Sequence, residues 1–427
     1  MGVAIVLFAT LAVALIVNVP VGFAIGLSSI AAILADGRLS ATYIVQQLIS
    51  GTDSFPLMAI PLFILAGELM GAGGVSKRLL EVCNVFLGRF TGGLATVTVV
   101  LCMFFAAVSG SGPATVAAIG TMVVPAMIEK GYDRKFSLAL VACAGSIGVI
   151  IPPSIPMVIY GVATGSSISS LFMAGFLPGI LIGVSLIIMC YFISKKNGWK
   201  GSERRYTSKE KLRAVWDAKW ALINPLIILG GIYAGIFTPT EAAAVAAVYA
   251  FICGMFIHKE LDWKRLFDSV AGACLTTGTI LIIVGCATAF AKILTIERIP
   301  DMITSGILGM TDSMTMVLLF IIVLLLAVGC FMDTTPAMMI LAPILLPVAL
   351  SFGMDPIHFG IIMVTTLAVG FITPPLGVNL FVAARVGRTT LEEVCSGILK
   401  FVVIMVVDVL LITFIPQISM LLPKLLL

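Results

Sequence analysis

The sequence has very little charge. Only 11% of its 427 residues are Asp, Glu, Lys or Arg, whereas 60% are hydrophobic. Soluble domains carry roughly 25% charged residues. Apolar runs of about twenty residues, enough to cross about 30 Å of hydrocarbon, recur along the chain. Because the longest polar stretch is 195–213, no soluble domain fits, and we expect an all-α polytopic protein in a lipid bilayer.

Histidine and paired cysteine motifs are scarce too. There are two His, His258 and His358, and nine Cys without a Cys-x-x-Cys spacing. Most of these Cys lie in apolar runs, where a thiol acts as a small hydrophobic group. This composition argues against a transition-metal centre and a histidine-based hydrolase. The net charge of +4 is modest, and we expect no nucleic-acid partner. The first 27 residues lack a basic start and predict a first membrane-spanning element, not a cleaved signal.

One pattern of about forty residues occurs twice. Seven Gly, Pro and Asp residues recur at a constant offset of 222 (347 − 125). In each copy a Gly-x-x-x-Pro-Pro sequence interrupts an apolar run that would otherwise continue as a spanning helix. Duplicated halves with helices broken at corresponding positions are typical of secondary transporters. The first copy holds Pro125, Gly131, Asp133, Gly148, Pro152, Pro153 and Gly165.

The charged loops indicate that the two copies have opposite orientations. Stretch 195–213 contains eight Lys or Arg and two Glu, which places it in the cytoplasm by the positive-inside rule. Two spanning segments separate this stretch from the basic loop 129–135, so that loop is expected on the same side. The matching loop of the second copy, 351–356, has no basic residue and is expected outside. The sequence therefore predicts an inverted repeat.

A re-entrant helical hairpin is predicted before each broken helix. The apolar stretches 93–128 and 316–350 are interrupted at 109–115 and 333–337. Their flanks are expected on one side of the membrane, so each stretch enters, turns and leaves. Irregular backbone at that depth is tolerated only when it is buried in protein or lines a wet cavity. Two hairpins from opposite faces, beside the broken helices 136–166 and 357–386, therefore predict a site at the midplane.

The repeat also defines the expected domains. Scaffold and arm helices are predicted in 1–90 and 215–312. Transport regions, each with a hairpin and a broken helix, are predicted in 91–193 and 313–427. A basic cytoplasmic loop, 194–214, joins the halves.

Oxygen-rich residues at the interruptions suit Na⁺ better than a transition metal. Half-helix N-termini, each with about half a positive charge, can receive an acid between two Na⁺ sites. We predict Na⁺ as the coupling ion, no other cofactor and no catalytic residue. The first Na⁺ site is predicted at Ser109, Gly110, Ser111, Thr115, Gly148 and Pro152. The second is predicted at Asp333, Thr334, Thr335, Gly370, Thr373 and Pro374. Substrate contacts are predicted at Ser154, Thr366 and Asn379.

These residues have structural interpretations as well. Gly, Ser and Thr often pack membrane helices together, and this applies more to Ser146, Thr365 and Thr366 than to the clustered tips. Asp333 can cap the following helix, bind a cation or do both. Four other ionisable residues near apolar runs are interpreted as structural, with Glu241 supporting a helix start and Asp408 facing a partner subunit. They are Glu68, Glu241, Lys292 and Asp408.

Four stretches together resemble the large membrane subunit of tripartite ATP-independent periplasmic (TRAP) transporters. They are 109–120 (SGSGPATVAAIG), 149–161 (VIIPPSIPMVIYG), 235–244 (GIFTPTEAAA) and 371–381 (FITPPLGVNLF). The resemblance covers essentially the whole chain. It implies a multi-pass protein of the bacterial inner membrane, not an enzyme, that imports organic acids with Na⁺. It also implies an elevator-type transport domain that moves against a scaffold.

The resemblance further implies two protein partners: a small four-helix membrane subunit and a periplasmic substrate-binding protein. Some relatives carry the small subunit as an N-terminal extension, which is absent here, so we expect a separate chain. Family substrates are mainly C4-dicarboxylates, sialic acid and other sugar or keto acids. Overall similarity to sialic-acid members favours sialic acid.

Three alternatives remain open at this point. A stand-alone Na⁺/dicarboxylate carrier would take up substrate without a binding protein. An intramembrane enzyme would need Asp333 and Asp408 as a pair, but only Asp333 lies at an interruption. A passive channel would carry current without Na⁺ and without saturation.

Overall fold

The computed structural model describes residues 2–37, 40–202, 204 and 206–426. Throughout these residues the regular secondary structure is helical. Nine of the described helices are long and apolar enough to cross a membrane. The predicted all-α polytopic fold is therefore confirmed.

The chain begins with a pair of short helices. Helix α1 (Gly2–Ile16) and helix α2 (Val21–Asp36) pack against each other. Between them Asn18 has a φ of 60°, and Pro20 precedes α2. The prediction of one spanning element over 1–27 was wrong, because proline lacks an N–H and keeps the residue before it out of the helical region.

Three further helices precede the first hairpin. They are α3 (Ala41–Thr52), α4 (Ala59–Ala72) and α5 (Val75–Leu87), with a 3₁₀ turn at Phe55–Met58 before α4.

The first predicted hairpin and broken helix are both present. Helices α6 (Gly93–Ser109) and α7 (Gly112–Glu129) form the hairpin. Helix α8 (Arg134–Ser146) ends in a 3₁₀ turn at Ile147–Val149, and α9 (Ile155–Thr164) resumes after the prolines. Helix α10 (Ile168–Asn197) then runs to the basic loop.

The second half begins with four helices that precede the second hairpin. They are α11 (Ser208–Tyr233), α12 (Pro239–Ile252, continued by a π-helical turn at Cys253–Ile257), α13 (Trp263–Ile296) and α14 (Ile299–Met310). Helix α4 packs against α12 and α13. At the start of α12, Thr238 N donates to Glu241 Oε2 at 2.8 Å and Glu241 N donates to Thr238 Oγ1 at 3.3 Å. This reciprocal cap confirms the structural interpretation of Glu241.

The second hairpin and broken helix follow the first in register. They are α15 (Met314–Phe331), α16 (Thr334–Ser351), α17 (Pro356–Gly370) and α18 (Val378–Gly387), followed by α19 (Leu391–Phe414) and α20 (Gln417–Leu426). Helices α16 and α17 begin 222 residues after α7 and α8 (334 − 112 and 356 − 134). Helix α19 ends at Phe414, and Pro416 separates it from α20.

The two repeats interlock. Helix α9 packs against α16 of the other repeat, and α18 packs against α7 and α8. Tyr160 Oη donates to the Pro356 carbonyl at 2.7 Å, and Arg134 Nη2 donates to the Gly387 carbonyl at 2.5 Å. The second half of each broken helix is thus attached to the opposite repeat, which brings both interruptions close to both hairpin tips.

Candidate functional site

The tip of the first hairpin is a compact hydroxyl cluster. Ser109 Oγ and Thr115 Oγ1 are 3.0 Å apart, and Thr115 Oγ1 donates to the Ser111 carbonyl at 2.8 Å. Ser111 Oγ caps α7 by accepting from Ala114 N at 3.4 Å. Gly110 ends α6 with a φ of 61°, a conformation that glycine adopts without a Cβ clash. The tip therefore brings the oxygen atoms of Ser109, Ser111 and Thr115 close together.

The first broken helix contacts this tip through its backbone. A Cβ on Gly148 would lie 2.6 Å from Thr115 Oγ1 and 2.7 Å from the Ser111 carbonyl. Ile155 N donates to the Gly110 carbonyl at 3.3 Å. Pro152 is buried in the same interruption. All six residues of the predicted first Na⁺ site thus lie in the hairpin tip or the interruption packed against it.

The second tip carries a carboxylate where the first carries a serine. Asp333 Oδ1 accepts from Thr334 N at 2.5 Å and from Thr334 Oγ1 at 3.2 Å, so Asp333 caps α16 as its structural interpretation predicted. The side chain is nevertheless exposed. One carboxylate oxygen and the exposed face of the other remain available to a cation.

The second interruption also packs on its hairpin, but it is more open. Gly377 N donates to the Cys330 carbonyl at 3.1 Å. A Cβ on Gly370 would lie 2.5 Å from Gly329 Cα. Thr373 Oγ1 donates to the Val369 carbonyl at 2.8 Å. Pro374 is exposed whereas Pro152 is buried, so the two predicted ion sites differ in their access.

Both tips line one cavity of about 920 Å³. The first turns of four half-helices, α7, α9, α16 and α18, also reach it. Each helix N-terminus presents N–H groups and a partial positive charge, so their convergence suits an anionic group. The hairpin residues in its wall are Ser109, Gly110, Ser111, Asp333, Thr334 and Thr335, and the first-turn residues are Pro113, Ile155, Pro156 and Val378.

The opposite wall of the cavity belongs to helices outside the hairpins and broken helices. Helix α4 contributes Glu68 and Gly71, and α13 contributes Thr276 and Thr279. The structural interpretation of Glu68 missed this position: its side chain is exposed to the cavity. The available signal was a carboxylate inside an apolar run, which is costly in a membrane and usually functional.

The cavity is negatively charged and extends toward the basic loops. Among the described residues that line it, Glu68 and Asp333 are the charged ones, and both are acidic. Its wall continues along α7 to Thr121 and past the end of α4 to Ser76 of α5, which is next to Lys77, and so extends toward the basic loop 129–135. The positive-inside rule places this end at the cytoplasm.

The three predicted substrate residues are buried and do not line the cavity. Asn379 is fully buried; its Nδ2 donates to the Ala142 carbonyl at 3.2 Å and to Ser146 Oγ at 3.0 Å. Asn379 Oδ1 has no partner in the described part of the chain. Ser154 Oγ donates to the Val149 carbonyl at 2.6 Å, and Thr366 Oγ1 donates to the Ile362 carbonyl at 2.6 Å. Their substrate roles stay predictions.

Asp408 is apart from the cavity lining. It is buried in α19, and Ser185 Oγ of α10 donates to its Oδ1 at 2.7 Å. The interpretation that Asp408 faces a partner subunit was wrong, because the side chain is buried within this chain, where Oδ1 accepts from Ser185 and Oδ2 has no partner among the described residues.

Comparison with known proteins identifies relatives along the whole chain. The family model described as "Tripartite ATP-independent periplasmic transporter, DctM component" matches residues 8–418. The isethionate TRAP transporter permease protein DctMQ of Oleidesulfovibrio alaskensis is 50% identical over 97% of this chain. This chain spans 65% of that relative.

Two other relatives have different names. The C4-dicarboxylate TRAP transporter large permease protein DctM of Vibrio cholerae is 39% identical over 96% of this chain and 95% of its own length. The sialic acid TRAP transporter permease protein SiaT of Haemophilus influenzae is 36% identical over 96% of this chain and 66% of its own length.

Solved structures share the fold. The Alcanivorax borkumensis YdaH transporter aligns with a TM-score of 0.61 at 15% identity, covering 88% of this chain and 89% of that one. Neisseria gonorrhoeae MtrF aligns with a TM-score of 0.57 at 15% identity, covering 87% and 83%. At this identity the likeness shows the fold alone.

These findings agree with the spanning-length helices and the interrupted repeats. The prediction of a multi-pass inner-membrane transport protein, as opposed to an enzyme, is confirmed by the family match. The chain belongs to the DctM component family, the large permease subunits of tripartite ATP-independent periplasmic transporters.

Proposed function

We propose that this chain couples the import of an organic acid across the bacterial inner membrane to Na⁺ entry. The observation that carries the proposal is the convergence of both hairpin tips and four half-helix N-termini on one cavity of about 920 Å³. The tips supply hydroxyl, carbonyl and carboxylate oxygens, which suit a hard cation. The N-termini supply N–H donors for the acid.

The acidic lining of the cavity supports coupling between the binding of Na⁺ and the binding of the organic anion. Its described lining holds Glu68 and Asp333 and no Lys, Arg or His. An organic anion entering such a space alone would be repelled, and low-dielectric surroundings strengthen that repulsion. Na⁺ bound at the tips would offset it, so anion binding would require prior Na⁺ binding.

Asn379 supports an ion site that spans both repeats. It comes from the second broken helix but donates to the first, at Ala142 and Ser146. A Cβ on Gly112 would lie 3.4 Å from its Oδ1, so the unpartnered oxygen borders the first hairpin tip. A buried amide oxygen without a donor is costly, and a bound cation would satisfy it.

An elevator movement is proposed for the translocation step. The interlocked hairpins and broken helices share contacts such as Tyr160 to Pro356, which favours their moving as one body. Helices α2, α3, α4, α12 and α13 pack among themselves as the scaffold. The cavity lies between these two groups of helices, where relative sliding would expose it to either side.

Two partners and a substrate class complete the proposal. The chain would work with a small membrane subunit and a periplasmic substrate-binding protein; that the small subunit is a separate chain stays a prediction. The relatives' names give isethionate, C4-dicarboxylates and sialic acid. We place isethionate first, because the relative of that name is 50% identical and the sialic acid relative 36%.

Uptake by reconstituted vesicles tests the proposal. The chain, the small subunit and the binding protein would be assayed with radiolabelled isethionate, succinate and sialic acid, under an inward Na⁺ gradient or with K⁺ in its place. We expect saturable uptake of one acid that needs both Na⁺ and the binding protein. Robust uptake without the binding protein would instead support a stand-alone carrier, and non-saturating current a channel.

A further inference from the structure

We propose that Glu68 favours release of the anionic substrate at the cytoplasmic end of the cavity, where its carboxylate attracts Na⁺ and repels the anion. Nothing in the family match or the relatives' names assigns this role to a scaffold residue. The inference rests on the proposed function and adds a residue outside the repeated hairpins.

The position of Glu68 supports this role. It lies in α4, on the scaffold wall that faces the hairpin tips across the cavity. Thr276 and Thr279 of α13 lie on the same wall, one turn apart. The cavity continues past them to Ser76, beside the basic end of α5. An ion or acid that leaves the tips for the cytoplasm therefore passes this wall.

Glu68 also lacks the kind of structural partner that several other acidic residues of the chain have. Glu241 caps α12, Glu260 pairs with Arg78 at 2.7 Å, and Asp408 accepts from Ser185. The Glu68 side chain has no hydrogen bond or ion pair with any described residue. A charged group held inside an apolar helix without a partner costs stability. Because the side chain is exposed to the cavity, its electric field acts on the ions and the substrate there.

The electrostatic argument gives the direction of the effect. A fixed negative charge raises the local concentration of cations and lowers that of anions. Asp333 moves with its hairpin, whereas Glu68 stays with the scaffold. Glu68 therefore lies near the bound Na⁺ and substrate only when the hairpin tips face this wall. Its effect is thus specific to the cytoplasm-facing state.

The experiment measures inhibition of uptake from inside the vesicle. Glu68→Gln is compared with the unsubstituted chain in the reconstituted three-component system, with the internal Na⁺ or internal substrate concentration varied. With the carboxylate removed, the internal Na⁺ concentration for half-inhibition should rise about fivefold and that of substrate should fall about fivefold. The external Na⁺ half-saturation should stay within about twofold. High internal ionic strength from choline chloride should shrink both shifts.

Two variants serve as controls. Glu68→Asp keeps the charge and should retain both internal responses. Glu81→Gln removes an exposed carboxylate of α5 that does not line the cavity, and it should change neither response.

Two outcomes would overturn the inference: unchanged internal responses in Glu68→Gln, or equal shifts in Glu81→Gln. Uptake that ignores Na⁺ in the unsubstituted chain would refute the proposed function instead. In that case the internal substrate titration still decides the role of Glu68, because anion repulsion does not require Na⁺ coupling.

Discussion

Asp333 shows how one side chain can serve both the fold and a site. Its Oδ1 holds the first N–H of α16, while its exposed carboxylate lines the cavity. The sequence predicted this residue because it interrupts an apolar run. Glu68 could not be assigned in the same way, since it sits inside a regular helix and only the packing of α4 shows which face is wet.

Asp333→Asn should weaken the response to external Na⁺ while the protein still folds. Asparagine can accept the same N–H from Thr334 but carries no charge, so we expect the Na⁺ half-saturation to rise roughly tenfold, equivalent to about 1.4 kcal/mol. Uptake at varied external Na⁺ measures this. Asp355→Asn is the matched control, because Asp355 also caps a helix, accepting from Ile357 N at 2.8 Å, outside the cavity lining. An unchanged Na⁺ titration in Asp333→Asn would remove this residue from the ion site.

His258 should make stability depend on pH. Burial lowers the pKa of His258, and Arg78 lowers it further, against opposing effects of the Gly73 carbonyl and Glu260. Its Nδ1 lies 2.9 Å from the Gly73 carbonyl, and its Nε2 has no partner among the described residues. The unfolded chain then binds the proton first as pH falls through about 6.5, so stability is present above that pH and declines below it.

The thermal midpoint of purified protein at pH 7.5 and pH 5 tests this effect. His258→Asn keeps a donor for the Gly73 carbonyl and removes the titration, so its midpoint should fall less on acidification. The other histidine, His358, is present in both proteins. Equal losses in both would show that His258 does not cause the pH response.

At the scale of helices, proline and glycine made the interruptions predictable. Hairpins predicted at 93–128 and 316–350 correspond to α6–α7 and α15–α16, with ends within two residues. Other breaks depend on less distinctive signals. The first copy has Pro56 in a turn between α3 and α4, whereas the offset of 222 places Gly278 in the continuous helix α13 (56 + 222). Membrane helices tolerate glycine, so that difference required the structure.

Gly370→Ala should disrupt the second repeat. The new Cβ would lie 2.5 Å from Gly329 Cα and 2.7 Å from the Gly329 carbonyl carbon, and these backbone atoms can move only if α15 and α17 separate. Overpacking of this kind costs roughly 1–3 kcal/mol. We expect lower protein levels and a lower thermal midpoint in detergent. Gly230→Ala in α11 is the control, because its Cβ would meet nothing within 4 Å; equal loss in both variants would contradict a packing cause.

At the scale of the whole molecule, charge and repeat symmetry predict the orientation. The basic stretch 195–213 identifies the cytoplasmic side of the membrane. The offset of 222 matches the loops of the two halves, so the second half can be oriented from the first. The packing between repeats was not predictable, because residues such as Tyr160 and Pro356 are distant in the sequence and share no motif. The cavity's position against α4 and α13 depends on that packing, and so could not be derived from the loops.

Labelling of single cysteines should confirm this orientation. A cysteine in place of Arg204 should react with an impermeant maleimide only from the cytoplasm, and one in place of Ser166 only from the periplasm. The native thiols are buried apart from Cys274 and Cys395, so these two are replaced by serine in the background. Reaction of the position-204 cysteine from the periplasm would invert the orientation and place the open end of the cavity outside.

The exchange of half-helices between the repeats has an evolutionary consequence. Asn379 completes a pocket in the first repeat, Tyr160 secures the start of α17 in the second, and Arg134 holds the end of α18. A protein with a single copy would lack the partner of each of these contacts. We therefore expect that such an ancestor formed a dimer of two molecules with opposite orientations in the membrane. Within one chain that holds both copies, a substitution at such a crossing alters just one of the two junctions, which lets the two predicted ion sites diverge in openness and charge.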